Sequence, residues 1–419
     1  MSLPTNIFDA NVKEVSGPIN VLRLEGEVNA TRKVIYLFML AADTLPIEQE
    51  TECPNVFSKD IEQYLALNFY HARHGSKIYD FFLNMKPSVL SFYAKENEMV
   101  SRKAIYIYQI VKFFSKLLNY DPDKNLVKMS DIFNNVRLHY FDIQNYIVLP
   151  LLSELNSAKN LLQHDRLINN MNELLTQIAT HIYRAAVMVK ELEAIYQNKT
   201  EISEKIKPFW QYKYFPTEFY PNAINYLFNK MKKSYKHKLV KKKLTNYLDH
   251  TMKEIFDSQK QMIDFIVKIL DYHQIWQKYK SQLYFNKYLQ EYCYTMDYAS
   301  ELNIYVDLYQ SFAKIYYKQL RLFDNLTNIY FLRRFLDKDY VTNAVVCIDP
   351  THILYNVDIL VNDFDFKITH ASYMSTQSVT ELNDQFKKFH NNYEELVKLI
   401  NPSQLIQCAN LTNFPENFE

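Results

Sequence analysis

The sequence predicts an all-α protein, an irregular multi-helix bundle or array with at most a minor β-hairpin near 343–368. Two observations predict this class. Apolar residues recur every three or four positions over most of the chain, which is the period of helices with one buried stripe. Only three of the 419 residues are glycine, whereas the usual share is about 7%. Folds that need glycine at tight turns and phosphate loops, such as a Rossmann sheet or a P-loop, are therefore disfavoured.

The predicted helices follow this apolar period along the chain. Its clearest stripes run from Val100 to Leu118 and from Leu167 to Ile195. We expect helices at 30–44, 58–72, 77–96, 100–118, 130–147, 150–164, 167–195, 203–211, 219–236, 243–274, 283–335 and 376–400. Prolines and polar turns separate them, for example at YFPTEFYP (214–221) and DP (349–350). The β-branched segments AVVCI and YNVDILV account for the expected hairpin within 343–368.

The break at 214–221, followed by a lysine run, is the best internal boundary in the sequence. It divides an N-terminal tail, 1–28, and a helical domain, 29–235, from a second helical domain, 236–419. No fixed repeat period relates the helices, so a regular solenoid is not predicted.

Composition limits the possible functions. The formal charge is +1, so the whole chain has no strong attraction to nucleic acid or membrane. The four cysteines are far apart and form no CxxC pair, so we expect neither a disulfide framework nor a zinc site, and a reducing cytosol fits best. No catalytic motif, signal peptide or apolar run of ~20 residues is present. We therefore expect a soluble cytoplasmic protein that is not an enzyme and holds no metal or cofactor.

A lysine run is the main local excess of positive charge in this nearly neutral chain. Eight lysines occur between positions 230 and 243. Lysines act as point charges and read bases poorly, so specific nucleic-acid binding is not expected. The run indicates either a solvated helix end or contact with an anionic membrane surface. The candidate lysines are Lys232, Lys233, Lys236, Lys238, Lys241, Lys242 and Lys243.

The segment VKMSDIFNNVRLHYF (127–141) carries the main candidate site. Ser130 is a suitable N-cap for the helix predicted there. Arg137 lies four residues after Phe133 and four before Phe141, so on a helix all three share a face. The arginine either stacks on these rings as a surface residue or forms the centre of a binding site.

The order of features around this segment resembles a known family. VSRKAIYIYQIVKFFSKLLNYDPDKNLVKMSDIFNNVR (100–137) and HDRLINNMNELL (164–175) resemble, in order and spacing, the N-terminal Rac-binding helical region of the CYFIP (Sra/PIR) subunit of the WAVE regulatory complex. The same region occurs in the related CYRI proteins. The likeness covers about residues 30–320, and this chain is much shorter than CYFIP proteins.

The resemblance implies a non-enzymatic adaptor that binds a GTP-loaded Rac-type GTPase and regulates WAVE-dependent actin assembly. WAVE-complex subunits and the inner face of the plasma membrane are further expected contacts. The family's pair of basic residues maps to Val136 and Arg137, so the second of the two is preserved. The resemblance assigns GTPase binding to Lys128, Phe133, Asn134, Arg137 and Phe141. The alternatives are a helical interaction module without GTPase binding, or an anionic-lipid-binding protein that uses the lysine run.

Overall fold

The computed structural model describes residues 13–40, 53–84, 106–118, 120–121, 126–127, 130, 132–141, 143, 149–164, 171–197, 220–280, 284–286, 291–293, 298–403 and 406–418. The chain forms two compact units. Unit 1 comprises Met1–Asp142, Tyr235–Leu244 and Thr327–Glu419, and unit 2 comprises Ile143–Ser234 and Thr245–Leu326. The predicted domains, 29–235 and 236–419, group the chain differently, since each contains segments of both units.

Strands and helices alternate in unit 1, whereas helices dominate the described part of unit 2. The strands are β1 (Glu14–Ser16), β2 (Pro18–Val28), β3 (Thr31–Leu40), β4 (Lys59–Asp60), β5 (Tyr79–Leu83), β6 (Tyr120–Asp121), β7 (Leu126–Val127), β8 (Val136–Tyr140), β9 (Tyr284–Asn286), β10 (Glu291–Cys293), β11 (Asn343–Ile348), β12 (Lys367–Ala371) and β13 (Cys408–Asn410). The helices are α1 (Ile61–Ala72), α2 (Tyr106–Leu117), α3 (Leu149–His164), α4 (Met171–Tyr196), α5 (Tyr220–Lys233), α6 (Lys238–Lys280), α7 (Tyr298–Asp337), α8 (Pro350–Asp363), α9 (Val379–Lys388) and α10 (Tyr393–Ile400).

The predicted all-α class is wrong, because a six-stranded mixed sheet forms the centre of unit 1. Its strand order is β12-β2-β3-β11-β5-β8. Strands β3, β11, β5 and β8 run parallel, while β2 is antiparallel to both of its neighbours. The protein is therefore a mixed α/β protein.

The helix predicted at 30–44 was wrong, because Thr31–Leu40 form strand β3. Every residue from Lys33 to Leu40 is buried. A strand that is covered on both faces loses the alternation of apolar and polar residues that marks a half-exposed strand. The turn that joins β2 to β3 uses Asn29 and Ala30, both with positive φ, of 49° and 60°, as a two-residue hairpin requires.

Other predicted elements also differ. The helix expected at 283–335 contains strands β9 and β10 before helix α7 begins at Tyr298, and the one expected at 376–400 is divided into α9 and α10. The helix expected at 77–96 begins as strand β5, and the one expected at 130–147 contains strand β8. The hairpin expected near 343–368 is strand β11 followed by helix α8. There the DP segment begins a helix, because Asp349 accepts the backbone N–H of Thr351 at 2.9 Å and Pro350 occupies the first turn. The helix expected at 203–211 lies outside the described residues.

The long amphipathic helices agree with the sequence. The apolar stripe predicted along 167–195 is buried from Leu174 to Ile195 within unit 2, and helices α1, α3 and α5 lie where their periodicity places them. Periodicity predicts these elements because each one buries a single face, and that pattern is local in sequence.

Aromatic rings fill the core on one face of the six-stranded sheet. Phe69 of α1 packs 5.3 Å from Phe81 and 5.6 Å from Phe418, measured between ring centroids. Phe81 in turn lies 4.9 Å from Phe114 of α2. On the other face, Phe82 meets Phe331 of α7 at 5.1 Å. The sheet is thus covered on both sides, and its central strands lie in an apolar environment.

A second sheet, of three strands in the order β13-β1-β4, ties the C-terminal segment to the N-terminal one. A disulfide joins Cys53 to Cys408 across it, although 355 positions separate them in the sequence. The expectation that the cysteines form no disulfide was therefore wrong. At its edge, Gly17 has φ +121°, and a Cβ there would lie 2.9 Å from side-chain atoms of Ile61 and Tyr106, so the close approach of β1 to these residues requires glycine.

Candidate functional site

Arg137 lies in strand β8 and pairs with a buried carboxylate. It stands opposite Asp80 of β5 in the parallel register. Its Nε and Nη2 donate to the two carboxylate oxygens of Asp80 at 2.9 and 2.5 Å, and Nη2 also donates to the Tyr340 carbonyl at 2.8 Å. The Asp80 side chain is fully buried and that of Arg137 is 25% exposed. The guanidinium therefore neutralises a charge that has lost its water.

Two further titratable residues, His139 and Lys33, belong with Asp80 and Arg137 to an ionic cluster at the amino-terminal edge of the parallel strands. The ring Nε2 of His139 lies 2.6 Å from Asp80 Oδ1, and burial lowers the pKa of His139, which favours the neutral ring. The amine of Lys33 donates to the carbonyls of Lys338 and Val341 at 2.8 and 2.6 Å. Burial lowers the pKa of Lys33 to about 8.

These contacts indicate a structural role for the cluster. Each oxygen of the Asp80 carboxylate accepts at least one hydrogen bond, and the face of Arg137 lies 4.8 Å from the centre of the Tyr340 ring. Arg137 and Asp80 form a matched ion pair and the Lys33 amine is bonded to backbone carbonyls, as in polar networks that hold elements together. Stacking of Arg137 on an aromatic ring occurs, but on Tyr340 rather than on Phe133 or Phe141.

The remaining residues of the expected GTPase surface are not gathered on one face. Phe133 and Phe141 are 3% and 1% exposed, and Asn134 is exposed. Lys128 lies outside the described residues. The Ser130 hydroxyl accepts the N–H of Ile132 at 3.1 Å and does not cap a helix, because the described residues 132–140 form a bend, a turn and strand β8. The alternation of apolar and polar residues in VRLHY (136–140) was the signal for a strand here.

The lysine run is the second candidate, and its positions have different roles. In unit 2, Lys233 is exposed, while the Lys232 amine lies 3.2 Å from the centre of the Tyr196 ring, and burial lowers its pKa. In unit 1, the amine of Lys236 contacts Asp339 and that of Lys243 contacts the Asp363 carbonyl.

Three lysines at the start of helix α6 are exposed to solvent, namely Lys238, Lys241 and Lys242. Their spacing of three and four places them on one face of the helix. Leu239, three positions before Lys242, is 53% exposed beside them. We call Lys238, Leu239, Lys241 and Lys242 the lysine face.

The end of helix α7 fixes the start of helix α6. The fully buried Asp337 carboxylate accepts the backbone N–H groups of Lys236 and His237, both at 2.8 Å. Hydrogen bonds from Lys236 and His237 lower the pKa of Asp339, two residues further on. These contacts hold the two residues that precede helix α6, so the lysine face is held on a well-defined backbone.

The helix dipole adds to the charge of the lysine face. Amino-terminal turns of helices carry a partial positive charge and usually contain acidic residues. The first turn of the 43-residue helix α6 contains no acidic residue. Three lysines at this end raise the local positive potential, which disfavours the isolated helix and favours contact with an anion.

A comparison with known proteins identifies the family but no activity. The model of a family described as "Family of unknown function (DUF5847)" matches residues 13–419. The chain belongs to this family. The curated relatives include Uncharacterized proteins R706, R161 and R160 of Acanthamoeba polyphaga mimivirus. They are 34%, 33% and 31% identical to this chain and are matched over 100%, 98% and 98% of it, and over 100%, 99% and 98% of their own lengths.

No solved structure matches this DUF5847 chain. The matched family and these relatives do not point to the CYFIP or CYRI proteins, so that resemblance has no support from them. Among the described residues, no helix is both long and apolar enough to cross a membrane.

Sequence reasoning missed two features of unit 1. One is a shallow apolar groove of about 420 Å³ between α1 and α2. It is lined by Gln63, Ala66, Leu67, Tyr70, Phe113 and Phe133. The other is the grouping of Glu14 with Cys53 and Cys408. Both depend on segments that are distant in sequence, and no local motif marks either of them.

Proposed function

We propose that this DUF5847 protein binds anionic membrane surfaces through the lysine face of helix α6, and that it acts as a binding module rather than as an enzyme. The observation that carries the proposal is the exposed set Lys238, Lys241 and Lys242 on the first turns of a helix without acidic residues there. Their charge and the helix dipole have the same sign. The proposal places the protein at the cytoplasmic leaflet, where anionic lipids concentrate.

The expected affinity is modest. Each lysine near an anionic leaflet contributes about 1 kcal/mol. Leu239 is half-exposed in the protein, and burial of its remaining apolar surface adds roughly 1 kcal/mol. The total of about 4 kcal/mol corresponds to an association constant of roughly 10³ M⁻¹. This is reversible peripheral binding, which weakens as salt screens the charges.

The chemistry of the lysine face favours a lipid surface over nucleic acid. It contains no arginine, the residue that recognises bases and phosphates with two parallel hydrogen bonds. It contains an exposed leucine, which can enter the boundary between headgroups and acyl chains but has no comparable partner on a nucleic-acid backbone. Reversible attachment to anionic lipid is therefore the function that this geometry supports best.

Vesicle cosedimentation tests the proposal. We expect the protein to pellet with phosphatidylcholine vesicles that contain phosphatidylserine, to pellet less at high salt, and to stay in solution with phosphatidylcholine alone. The triple variant Lys238→Gln/Lys241→Gln/Lys242→Gln should bind about 100-fold more weakly, since about 3 kcal/mol is lost.

A charge-matched control separates local from overall charge. The variant Lys367→Gln/Lys387→Gln/Lys388→Gln changes three exposed lysines elsewhere in unit 1 and should bind within about threefold of the wild type. Equal losses in both triple variants, or no binding of the wild type to anionic vesicles, would refute the proposal. Salt-dependent binding to RNA but not to vesicles would also refute it.

A second candidate function is binding of an acidic amphipathic protein segment in the groove between α1 and α2. Leu67, Tyr70 and Phe113 line the groove and are 40%, 45% and 38% exposed. Lys112 and Lys116, beside Phe113 on α2, are exposed as well. An apolar floor next to basic residues suits a helix with leucines on one face and glutamates on the flanks.

Fluorescence anisotropy with a labelled peptide of that pattern tests this candidate. We expect Phe113→Glu to abolish binding, and Leu270→Glu, at a position that is 51% exposed in unit 2, to leave it unchanged. Equal binding by both variants would exclude the groove as the binding site.

Binding of a Rac-type GTPase stays a prediction of the resemblance. It required an available basic residue on a helix, whereas Arg137 lies in a strand and pairs with Asp80. A direct measurement with GTP-loaded and GDP-loaded Rac decides it. Asn134→Asp is a suitable variant, because Asn134 is exposed and its replacement does not disturb the ionic cluster.

A further inference from the structure

The three-stranded sheet brings together side chains that commonly bind zinc. Strands β1 and β13 pair antiparallel, with Ser16 opposite Cys408 and Glu14 opposite Asn410. The backbone N–H of Cys53 donates to the Ser16 hydroxyl at 3.3 Å. The ligand atoms of Glu14, Cys53 and Cys408 all lie within 4.8 Å of one another.

The carboxylate of Glu14 is the observation that points to a ligand. Its Oε2 is shielded from solvent and has no hydrogen-bond partner within the described structure. A buried carboxylate oxygen without a partner is costly, because its lost hydration is not replaced. A cation held between this oxygen and the two sulfur atoms would supply the missing interaction.

We propose that Glu14, Cys53 and Cys408 form a redox-controlled zinc site, in which a disulfide and a bound Zn²⁺ are alternative states. In the oxidised state the two sulfur atoms are bonded to each other, as in this structure. In the reduced state the two thiolates and the Glu14 carboxylate bind the metal. Zinc accepts this ligand set, with Zn–S distances of about 2.3 Å and Zn–O distances of about 2.0–2.2 Å.

The chemical steps balance when the reductant is a cellular thiol. Two thiols each give one electron and one proton to the Cys53–Cys408 bond, leave as their own disulfide, and generate two cysteine thiols. Zn²⁺ then replaces the two thiol protons, which pass to solvent. The described residues offer three ligands, so water completes the tetrahedral coordination as the fourth ligand.

Both states connect the same two segments. The disulfide links Cys53, which precedes strand β4, to Cys408 at the start of β13, and the metal would keep this link in a reducing compartment. Structural disulfides are rare in the cytosol. A zinc-bound state therefore gives the three-stranded sheet a crosslink under the conditions in which the disulfide is reduced.

Cobalt binding to the full-length protein tests the proposal. Co²⁺ replaces Zn²⁺ and gives visible absorption that reports tetrahedral coordination by sulfur. The background variant is Cys293→Ala/Cys347→Ala, which retains only the two cysteines of the site. After anaerobic reduction with a phosphine and its removal, we expect one Co²⁺ per chain, displaced by Zn²⁺, and no binding before reduction.

Ligand variants complete the test. Cys53→Ser should abolish the sulfur-to-cobalt absorption, and Glu14→Gln should weaken Co²⁺ binding by at least about tenfold. Glu27→Gln, at an exposed position in β2, is the matched control and should bind as the background does. Circular dichroism of the oxidised Glu14→Gln variant checks folding, because its disulfide is intact. If the reduced background binds no Co²⁺, or Glu14→Gln binds as tightly as Glu27→Gln, the proposal is wrong.

Discussion

Replacement of Arg137 by methionine should strongly destabilise unit 1. The change removes both hydrogen bonds to Asp80 and leaves a fully buried carboxylate without its counter-charge. Charge-assisted hydrogen bonds contribute about 1.5–3 kcal/mol each, and loss of one member of a buried ion pair costs about 3–5 kcal/mol. His139 still contacts Asp80, so we expect a loss of about 3–4 kcal/mol.

Urea and thermal denaturation, followed by circular dichroism, measure this loss. For a unit of this size, each kcal/mol lowers the Tm by about 2–4 °C, so the expected shift is roughly 10 °C. Arg32→Met is the matched control, because Arg32 also pairs with a carboxylate, that of Glu25, but is 70% exposed. Arg32→Met should lower the free energy of unfolding by less than about 1 kcal/mol.

A double-mutant cycle identifies the cause. In Asp80→Asn/Arg137→Met the buried charge is gone, so this variant should be more stable than the sum of the two single changes predicts, by about 2 kcal/mol. If Arg137→Met costs no more than Arg32→Met, then Asp80 is not a desolvated charge and the structural reading of the ionic cluster is wrong. A charge reversal at Arg137 would combine loss of fold with loss of binding, so it cannot test GTPase binding alone.

Three further predictions concern titration and polar contacts. Burial lowers the pKa of Lys33 to about 8, below its unfolded value. Between pH 8 and pH 9.5 the free energy of unfolding of the wild type, measured with urea, should therefore rise by about 2 kcal/mol relative to that of Lys33→Met. A difference that stays constant with pH would contradict this. Burial also lowers the pKa of His139. The wild type should therefore lose stability relative to His139→Gln as the pH falls through about 6.5, the pKa of histidine in the unfolded chain. A loss of stability above that pH instead would refute the lowered pKa of His139. The fully buried Asn20 side chain makes four hydrogen bonds to the segment after β12 and to the end of α10, so Asn20→Ala should lower the free energy of unfolding by about 3 kcal/mol. Ser378→Ala, which removes an exposed helix cap, should lower it by about 1 kcal/mol, and equal losses would contradict the prediction for Asn20.

The predicted elements that were confirmed are those whose signal is complete within one segment. Helix α4 has a buried stripe from Leu174 to Ile195, and its period alone predicts it. The predictions for the segments that form strand β3 and helix α8 were wrong for the same reason. Residues 34–40 and 352–361 are buried throughout, and an element covered on all sides keeps no period that separates strand from helix.

The candidate sites also differ in whether their signal lies within one segment of the sequence. The lysine run was visible in the sequence, because its eight lysines lie between positions 230 and 243. The lysine face was not, since the helix was expected to begin at 243 and begins at Lys238. The environment of Arg137 was not, since Asp80 lies 57 positions away and reaches it through the pairing of β5 with β8. Strand β8 nevertheless has a local signal, the alternation in VRLHY, but the apolar period over 130–147 also fits a helix, and the helix was predicted there.

The sequence by itself determined the long amphipathic helices, the scarcity of glycine and the concentration of lysine near 230–243, because these properties depend only on residues close together in the chain. The tertiary structure decided the order of the six strands, the burial of Asp80 beneath Arg137 and the junction of Cys53 with Cys408 across 355 positions. Strand order and ion pairing arise from contacts between distant segments. Those contacts form only when the chain closes on itself, and no local period records which segments will meet.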